Sequence, residues 1–174
     1  MQFRTRINRT LDSKKRIVLP PGFRDVLLSR SKDGRMVLTT IQDQCLRGFA
    51  LPDWELYEED LKEKLDSPNL LERDFARLIW CGAVEMSADA QGRILLPKDH
   101  LEHSQISTEA VLVGLGDFFE LWQPERLEEH KNKDFSGLAM RKKNPGQPPA
   151  AGDGEKKNNT SAPRKRPRPL LFRR

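Results

Sequence analysis

Cysteine is nearly absent: the 174 residues hold two, Cys45 and Cys81, alongside three histidines and a single tyrosine. Two thiols cannot make a disulfide framework, nor a four-ligand zinc site on their own. Long apolar runs are missing as well. No stretch approaches the roughly 20 residues that a membrane helix needs. The basic start Met1-Gln2-Phe3-Arg4-Thr5-Arg6 leads into no apolar segment, which argues against a secretory signal. No Ser/His/Asp set and no carboxylate pair has a spacing that proposes catalysis. His100 and His103 stand i, i+3 beside Asp99 and Glu102, but third and fourth ligands are not evident, so they read as a surface pair. Cys45 and Cys81 read as small buried or half-buried hydrophobes. Gly114-Leu115-Gly116 lacks the following helix of a dinucleotide loop and reads, with Asp117, as a hairpin turn. These absences predict a soluble, cytosolic chain that is not an enzyme and holds neither metal nor cofactor.

Charge is present in quantity and is segregated. The net charge is +5, yet residues 36–140 carry 10 Lys/Arg against 21 acids. Residues 1–35 carry 10 Lys/Arg and 3 acids, and residues 141–174 carry 11 and 2. An acidic body with a basic segment at each end points to a polyanion partner on defined surfaces. From Met140 onward Pro, Gly and Lys are dense and apolar residues nearly vanish until Leu170-Leu171-Phe172. Such a segment cannot offset its ordering entropy by burial, so residues 141–174 are predicted to be a disordered basic tail.

The strongest internal signal is a repeat. Asp12-Ser13-Lys14-Lys15-Arg16-Ile17-Val18-Leu19-Pro20 returns as Asp89-Ala90-Gln91-Gly92-Arg93-Ile94-Leu95-Leu96-Pro97, and Val37-Leu38 returns as Val111-Leu112. Leu51-Pro52-Asp53 likewise aligns with Gln123-Pro124-Glu125. Each copy predicts the same elements. An alternating strand places Phe3, Thr5 and Ile7 on one face and Arg4, Arg6 and Asn8 on the other. A polar turn over Asp12–Lys15 leads to a short strand, Arg16–Leu19, and then to a helix opened by Pro20-Pro21. Two strands follow, Met36–Ile41 and Cys45–Ala50. The second copy predicts strands Val84–Ala88, Arg93–Leu96, Ala110–Leu115 and Phe118–Gln123. The expected organisation is repeat 1 over residues 6–53, a helical connector over 54–81, repeat 2 over 82–125, a C-terminal helix over 126–140 and the tail. In the connector, Trp54, Tyr57, Leu61 and Leu65 form one helical face, and Ser67-Pro68 is expected to cap a second helix. The acids Glu58, Glu59, Asp60 and Glu63 form its solvated side. Each copy is too small for a core of its own, so the two are expected to share one pseudo-symmetric core in a mainly β, α+β fold.

The basic residues of the first copy propose nucleic acid. Arg4 and Arg6 share one face of its first strand, and Arg9, Lys14, Lys15 and Arg16 lie at or near the turn. A two-stranded ribbon fits the major groove of duplex DNA, where Arg reads guanine edges and Lys meets phosphate. The competing reading is a solvated face. Comparison of the copies favours DNA: at the 77-residue shift Arg4 becomes Cys81, Arg6 becomes Ala83, Lys14 becomes Gln91 and Lys15 becomes Gly92, while Arg16 persists as Arg93. Charges required by the fold should appear in both copies. Arg16 and Arg93 have a double reading, as braces for the turn aspartates Asp12 and Asp89 or as DNA contacts, and for Arg93 the bracing role is the stronger.

The paired Asp-x-x-[Gly/Lys]-Arg turns, with Val111-Leu112-Val113-Gly114 and Phe119-Glu120-Leu121-Trp122, resemble the MraZ family, which carries two tandem AbrB-type (SpoVT-AbrB) units in one chain. The resemblance spans residues 1–133. It implies a swapped-hairpin β-barrel core and a ring-shaped homo-oligomer. It further implies a cytoplasmic, nucleoid-associated bacterial regulator on repeated promoter sites of double-stranded DNA. Those sites would lie upstream of the division and cell-wall gene cluster, with repression of its own operon as the expected sense. Lys15 departs from the Gly of the family pattern and carries a steric cost of roughly 1 kcal/mol if the turn needs a positive φ. Two other classes remain: a protein-interaction module, antitoxin-like or scaffolding, and a nucleoid-associated binder without sequence preference.

Overall fold

The computed structural model describes residues 1–132; the tail lies outside them. In chain order the elements are β1 (Arg6–Thr10), β2 (Arg16–Val18), α1 (Pro21–Arg30), β3 (Met36–Thr40), β4 (Leu46–Ala50), α2 (Leu51–Leu65) and α3 (Leu70–Cys81). The second repeat supplies β5 (Val84–Met86), β6 (Arg93–Leu95), α4 (Lys98–Ser104), β7 (Glu109–Gly114), β8 (Phe118–Trp122) and α5 (Pro124–Lys131). This is an α+β fold with antiparallel sheets. Among the described residues no helix is long and apolar enough to cross a membrane.

Strand pairing crosses between the repeats. A six-stranded sheet runs β1-β7-β8-β4-β3-β5, and β2 pairs with β6 in a separate two-stranded ribbon. β1 of the first repeat therefore lies against β7 of the second, with Ile7 opposite Leu112. β5 of the second repeat lies against β3 of the first, with Val37 opposite Glu85. At the centre β4 meets β8, with Arg47 opposite Glu120. The expected hairpin of β1 with β2 is thus absent. Each of these strands takes its partner from the other repeat, so neither repeat can complete its sheet alone.

The strand period of two places alternate side chains on opposite faces, and here both faces are covered. Met36 and Leu38 of β3, Leu112 of β7 and Phe119 and Leu121 of β8 join Ile17, Phe23, Val26, Ile94 and Leu96 in one cluster under α1 and the ribbon. Val37, Phe49, Val111 and Trp122 turn the other way, into a second cluster with Trp54 and Leu61 of α2, Ala76 and Ile79 of α3 and Leu127 of α5. In the first cluster Phe119 lies across Gly48: a Cβ there would sit 2.3 Å from the ring. Phe3 and Phe23 close on Phe119 with centroids 5.1 and 5.3 Å away.

Several local expectations are corrected. The alternation over residues 3–8 does not run as one strand: Thr5 has φ 79°, and β1 begins only at Arg6. The bend lets Phe3 enter the core fully buried, while Arg4 and Thr5 remain exposed. The cap of α3 is Asn69, whose side chain accepts from the Leu71 N–H, rather than Ser67. His100 and His103 are not a surface pair. His100 is buried with Nε2 3.3 Å from the Leu38 carbonyl, and His103 Nε2 lies 2.8 Å from that of Ile41. The Leu38 and Ile41 carbonyls lie within reach of α4, and the two rings meet them. Cys45 is buried as expected, but Cys81 is exposed at the end of α3.

Candidate nucleic-acid interface

The two Asp-x-x-x-Arg turns fold into the same frame. In the first, the Lys15 N–H donates to the Asp12 carbonyl at 2.9 Å, and the Asp12 N–H donates to the Arg16 carbonyl at 2.9 Å. Asp12 Oδ1 accepts from the backbone N–H groups of Lys14 and Arg16, both at 2.9 Å, and Oδ2 accepts from Arg16 Nε at 2.8 Å. The second turn repeats each bond. Asp89 Oδ1 accepts from Gln91 and Arg93 N–H at 3.0 and 2.9 Å, and Oδ2 accepts from Arg93 Nε at 2.7 Å. Hydrogen bonds to the charged carboxylate favour ionisation. Those from the Arg16 side chain hold Asp12 below its ordinary range, and those led by the Arg93 backbone do the same for Asp89.

The ribbon brings the turns side by side. Leu19 N–H donates to the Gly92 carbonyl at 2.9 Å, and Leu96 N–H donates to that of Lys15 at 3.0 Å. Arg16 Nη1 lies 3.8 Å from Asp89 Oδ2, so the two frames touch. Lys15 and Gly92 hold the same backbone, with φ 60° and 76°. The family's Gly position therefore does need a left-handed residue, and Lys15 adopts that conformation while its Nζ donates to the Ser107 carbonyl at 2.9 Å.

The sequence-predicted site residues are only partly gathered. Lys14, Lys15 and Arg16 share the first turn, and the ribbon sets Arg93 beside them. Lys14 and Lys15 are exposed, and no partner meets the Lys14 ammonium among the described residues. Arg16 and Arg93 are equivalent: each side chain is 27% exposed and each braces its own aspartate. The first strand disperses its cations. Arg4 stands before β1 and donates to Gln2. Arg6 pairs with Glu128 of α5 at 2.6 Å, and Arg9 is half-buried and donates to the Asn8 carbonyl. Sequence reasoning missed one cation at the interface, Arg24 of α1, which lies over Gly92 of the other repeat. Its neighbours in sequence carry no sign of this, because the contact exists only through the exchange of strands.

The chain is similar to proteins of known class. The family model described as "MraZ protein, putative antitoxin-like" matches residues 3–78 and again residues 79–142. The "Transcriptional regulator MraZ" of Nitratidesulfovibrio vulgaris Hildenborough is 43% identical over 138 residues, covering 79% of this chain and 91% of that protein. The protein of the same name from the Miyazaki F strain is 41% identical over 139 residues, covering 80% and 92%. That of Clostridium acetobutylicum is 35% identical over 136 residues, covering 78% and 92%. The chain belongs to the MraZ family of transcriptional regulators, which are not enzymes, and carries two MraZ repeats in tandem.

Proposed function

We propose that this chain binds double-stranded DNA through the first turn and regulates transcription by occupying repeated promoter sites. The reading places those sites upstream of the division and cell-wall gene cluster, including the chain's own operon, with repression as the outcome. Lys14 and Lys15 contact the duplex backbone. Arg16, fixed by Asp12, offers its remaining N–H edge toward a base, since a guanidinium already held in one rotamer loses less freedom on binding. Arg4 just before β1 and Arg6 and Arg9 on it add charge, and Arg93 serves chiefly as the brace of the second turn. The crossed strand pairing supports a swapped-hairpin β-barrel core. One turn covers few base pairs, so several linked copies, as in a ring-shaped homo-oligomer, would supply affinity on repeated sites. The place of action is the cytoplasm, at the nucleoid.

One observation carries the reading. The turn frame of Asp and Arg is duplicated bond for bond, whereas the two exposed lysines occur in the first copy alone. The fold holds without them, so their presence asks for another cause. The test is a mobility shift on the duplex upstream of the chain's own gene, competed with unrelated DNA. A specific complex that resists the competitor is expected. Arg16→Ala should weaken it by about 1–3 kcal/mol per site, and Arg93→Ala much less. Equal binding to both duplexes would leave a nonspecific binder instead.

A further inference from the structure

We infer that Arg24, which belongs to the first repeat, is the phosphate anchor of the second turn, so that the DNA-binding surface runs across both turns. The inference rests on the DNA-binding reading above and extends it to the half of the ribbon that the sequence leaves without lysines.

Four observations support it. First, Arg24 lies against the second turn. A Cβ on Gly92 would sit 2.6 Å from both Cδ and Nη1 of Arg24, so the glycine leaves the room that the side chain occupies. Second, the equivalent of Arg24 at the 77-residue shift is Leu101, which packs on the apolar core. At the left-handed position the first turn thus carries its own cation, Lys15, whereas the second carries Gly92 with Arg24 of α1 packed over it.

Third, Arg24 is uncommitted. Among the described residues it makes no ion pair, and its Nε is buried without a hydrogen-bond partner. It lines a cavity of about 190 Å³ with Leu27, Gly34, Asp33, Asp89 and Gly92. Fourth, both carboxylates there already have partners. Asp89 is held by Arg93, and Asp33 accepts from Ser31 and Arg35, which lower its pKa to about 2. A guanidinium packed in place beside satisfied acids is a ready donor for a phosphate oxygen, and Arg suits that ligand by its planar fork. Because Lys15 and Leu96 are joined by a backbone hydrogen bond, as are Gly92 and Leu19, the lysine-bearing turn and the turn that Arg24 of α1 covers sit on one ribbon.

The test measures binding to two duplexes, one from the chain's own upstream region and one unrelated, over a range of salt. Arg24→Leu copies the residue that stands at this place in the second repeat. It should weaken both duplexes alike, roughly three- to tenfold, and lower the slope of log K against log salt by about 0.9, the contribution of one phosphate. Arg24→Gln, which keeps a polar head on an unbranched stem without the charge, should give the same loss if the leucine variant folds poorly. Arg24→Lys should keep the slope. Lys14→Gln is the control. If it weakens binding while Arg24→Leu and Arg24→Gln do not, the anchor is overturned and the first turn acts alone. If the Lys14 and Arg24 variants all bind as the parent does, the DNA reading of the ribbon itself falls.

Discussion

Lys15 and Gly92 occupy the same place in the two turns and share a left-handed backbone, with φ 60° and 76°. A residue with a Cβ is strained there and a glycine is not. The first turn therefore gives up stability for a lysine. Lys15→Gly should raise the denaturant midpoint, by about 0.5–1 kcal/mol in unfolding free energy, although it removes the bond from Lys15 Nζ to Ser107. The same variant should bind duplex DNA more weakly. Loss of stability together with unchanged binding would make the lysine a structural staple.

The centre of the sheet holds a second asymmetric pair. Arg47 and Glu120 face each other across β4 and β8 at 2.7 Å, and Glu120 Oε2 also accepts from Trp122 Nε1 at 2.9 Å. Glu120 is 7% exposed, and Arg47 also lies 4.2 Å from the Phe118 ring centre. Removing one partner of a buried pair strands the other. Arg47→Ala should cost about 3 kcal/mol by thermal or denaturant melting. Adding Glu120→Gln should recover a good part, because a neutral amide needs no cation and still accepts from Trp122. No recovery in the double variant would show that the loss comes from the packing of Arg47 on Phe118.

Acid should unfold the protein in two steps. Burial lowers the pKa of His100, which lies under β3 beside the Leu38 carbonyl. A depressed folded-state pKa contributes stability that is present above the unfolded value, about 6.5, and is lost as pH falls through the folded one. Asp12, Asp33 and Asp89 follow the same sign lower down: their contribution is complete above about pH 4 and fades below it, for Asp33 toward pH 2. Melting temperature against pH should therefore decline gently below about 6.5 and steeply below 4. His100→Gln should flatten the first decline alone; a curve unaltered by that substitution would mean that His100 stays neutral without strain.

The sequence showed some of this plainly and could not show the rest. The Asp12 and Asp89 turns were legible because Asp-x-x-x-Arg is a local device, built from hydrogen bonds within five residues. The helix from Pro21 was legible from its prolines, and α2 from the apolar spacing of Trp54, Tyr57, Leu61 and Leu65, although its start at Leu51 was not. Which strand pairs with which was not, because two copies with the same alternation satisfy either pairing; the family resemblance implied a swapped hairpin without saying which strands exchange. Thr5 reads as a strand residue, and only the insertion of Phe3 against Phe23 and Phe119 explains its bend. His100 looked exposed because a short i, i+3 pair gives no sign of the carbonyls above it. Arg24 was invisible for the same reason as the pairing: its contact with Gly92 lies across the repeats.

The basic tail should act through charge rather than base recognition. Residues 141–174 hold 11 cations, several set between prolines from Arg164 to Pro169. Truncation after Met140 should weaken specific and nonspecific binding together and flatten the salt dependence, each lost phosphate contact removing about 0.9 from the slope. The preference for the operator should survive. If truncation abolished that preference while nonspecific binding persisted, sequence reading would belong to the tail.

The central claim is that the first turn binds DNA through the charges that the second turn lacks. Rewriting the first turn with the second turn's residues, Lys14→Gln with Lys15→Gly, tests it most directly, because the second turn shows that the resulting frame folds. Titration of this double variant against the duplex upstream of its own gene, at several salt concentrations, should show affinity reduced by about tenfold or more and a salt slope lower by about two phosphates, with melting unchanged or improved. Parent-like affinity and slope in a fully folded double variant would contradict the account.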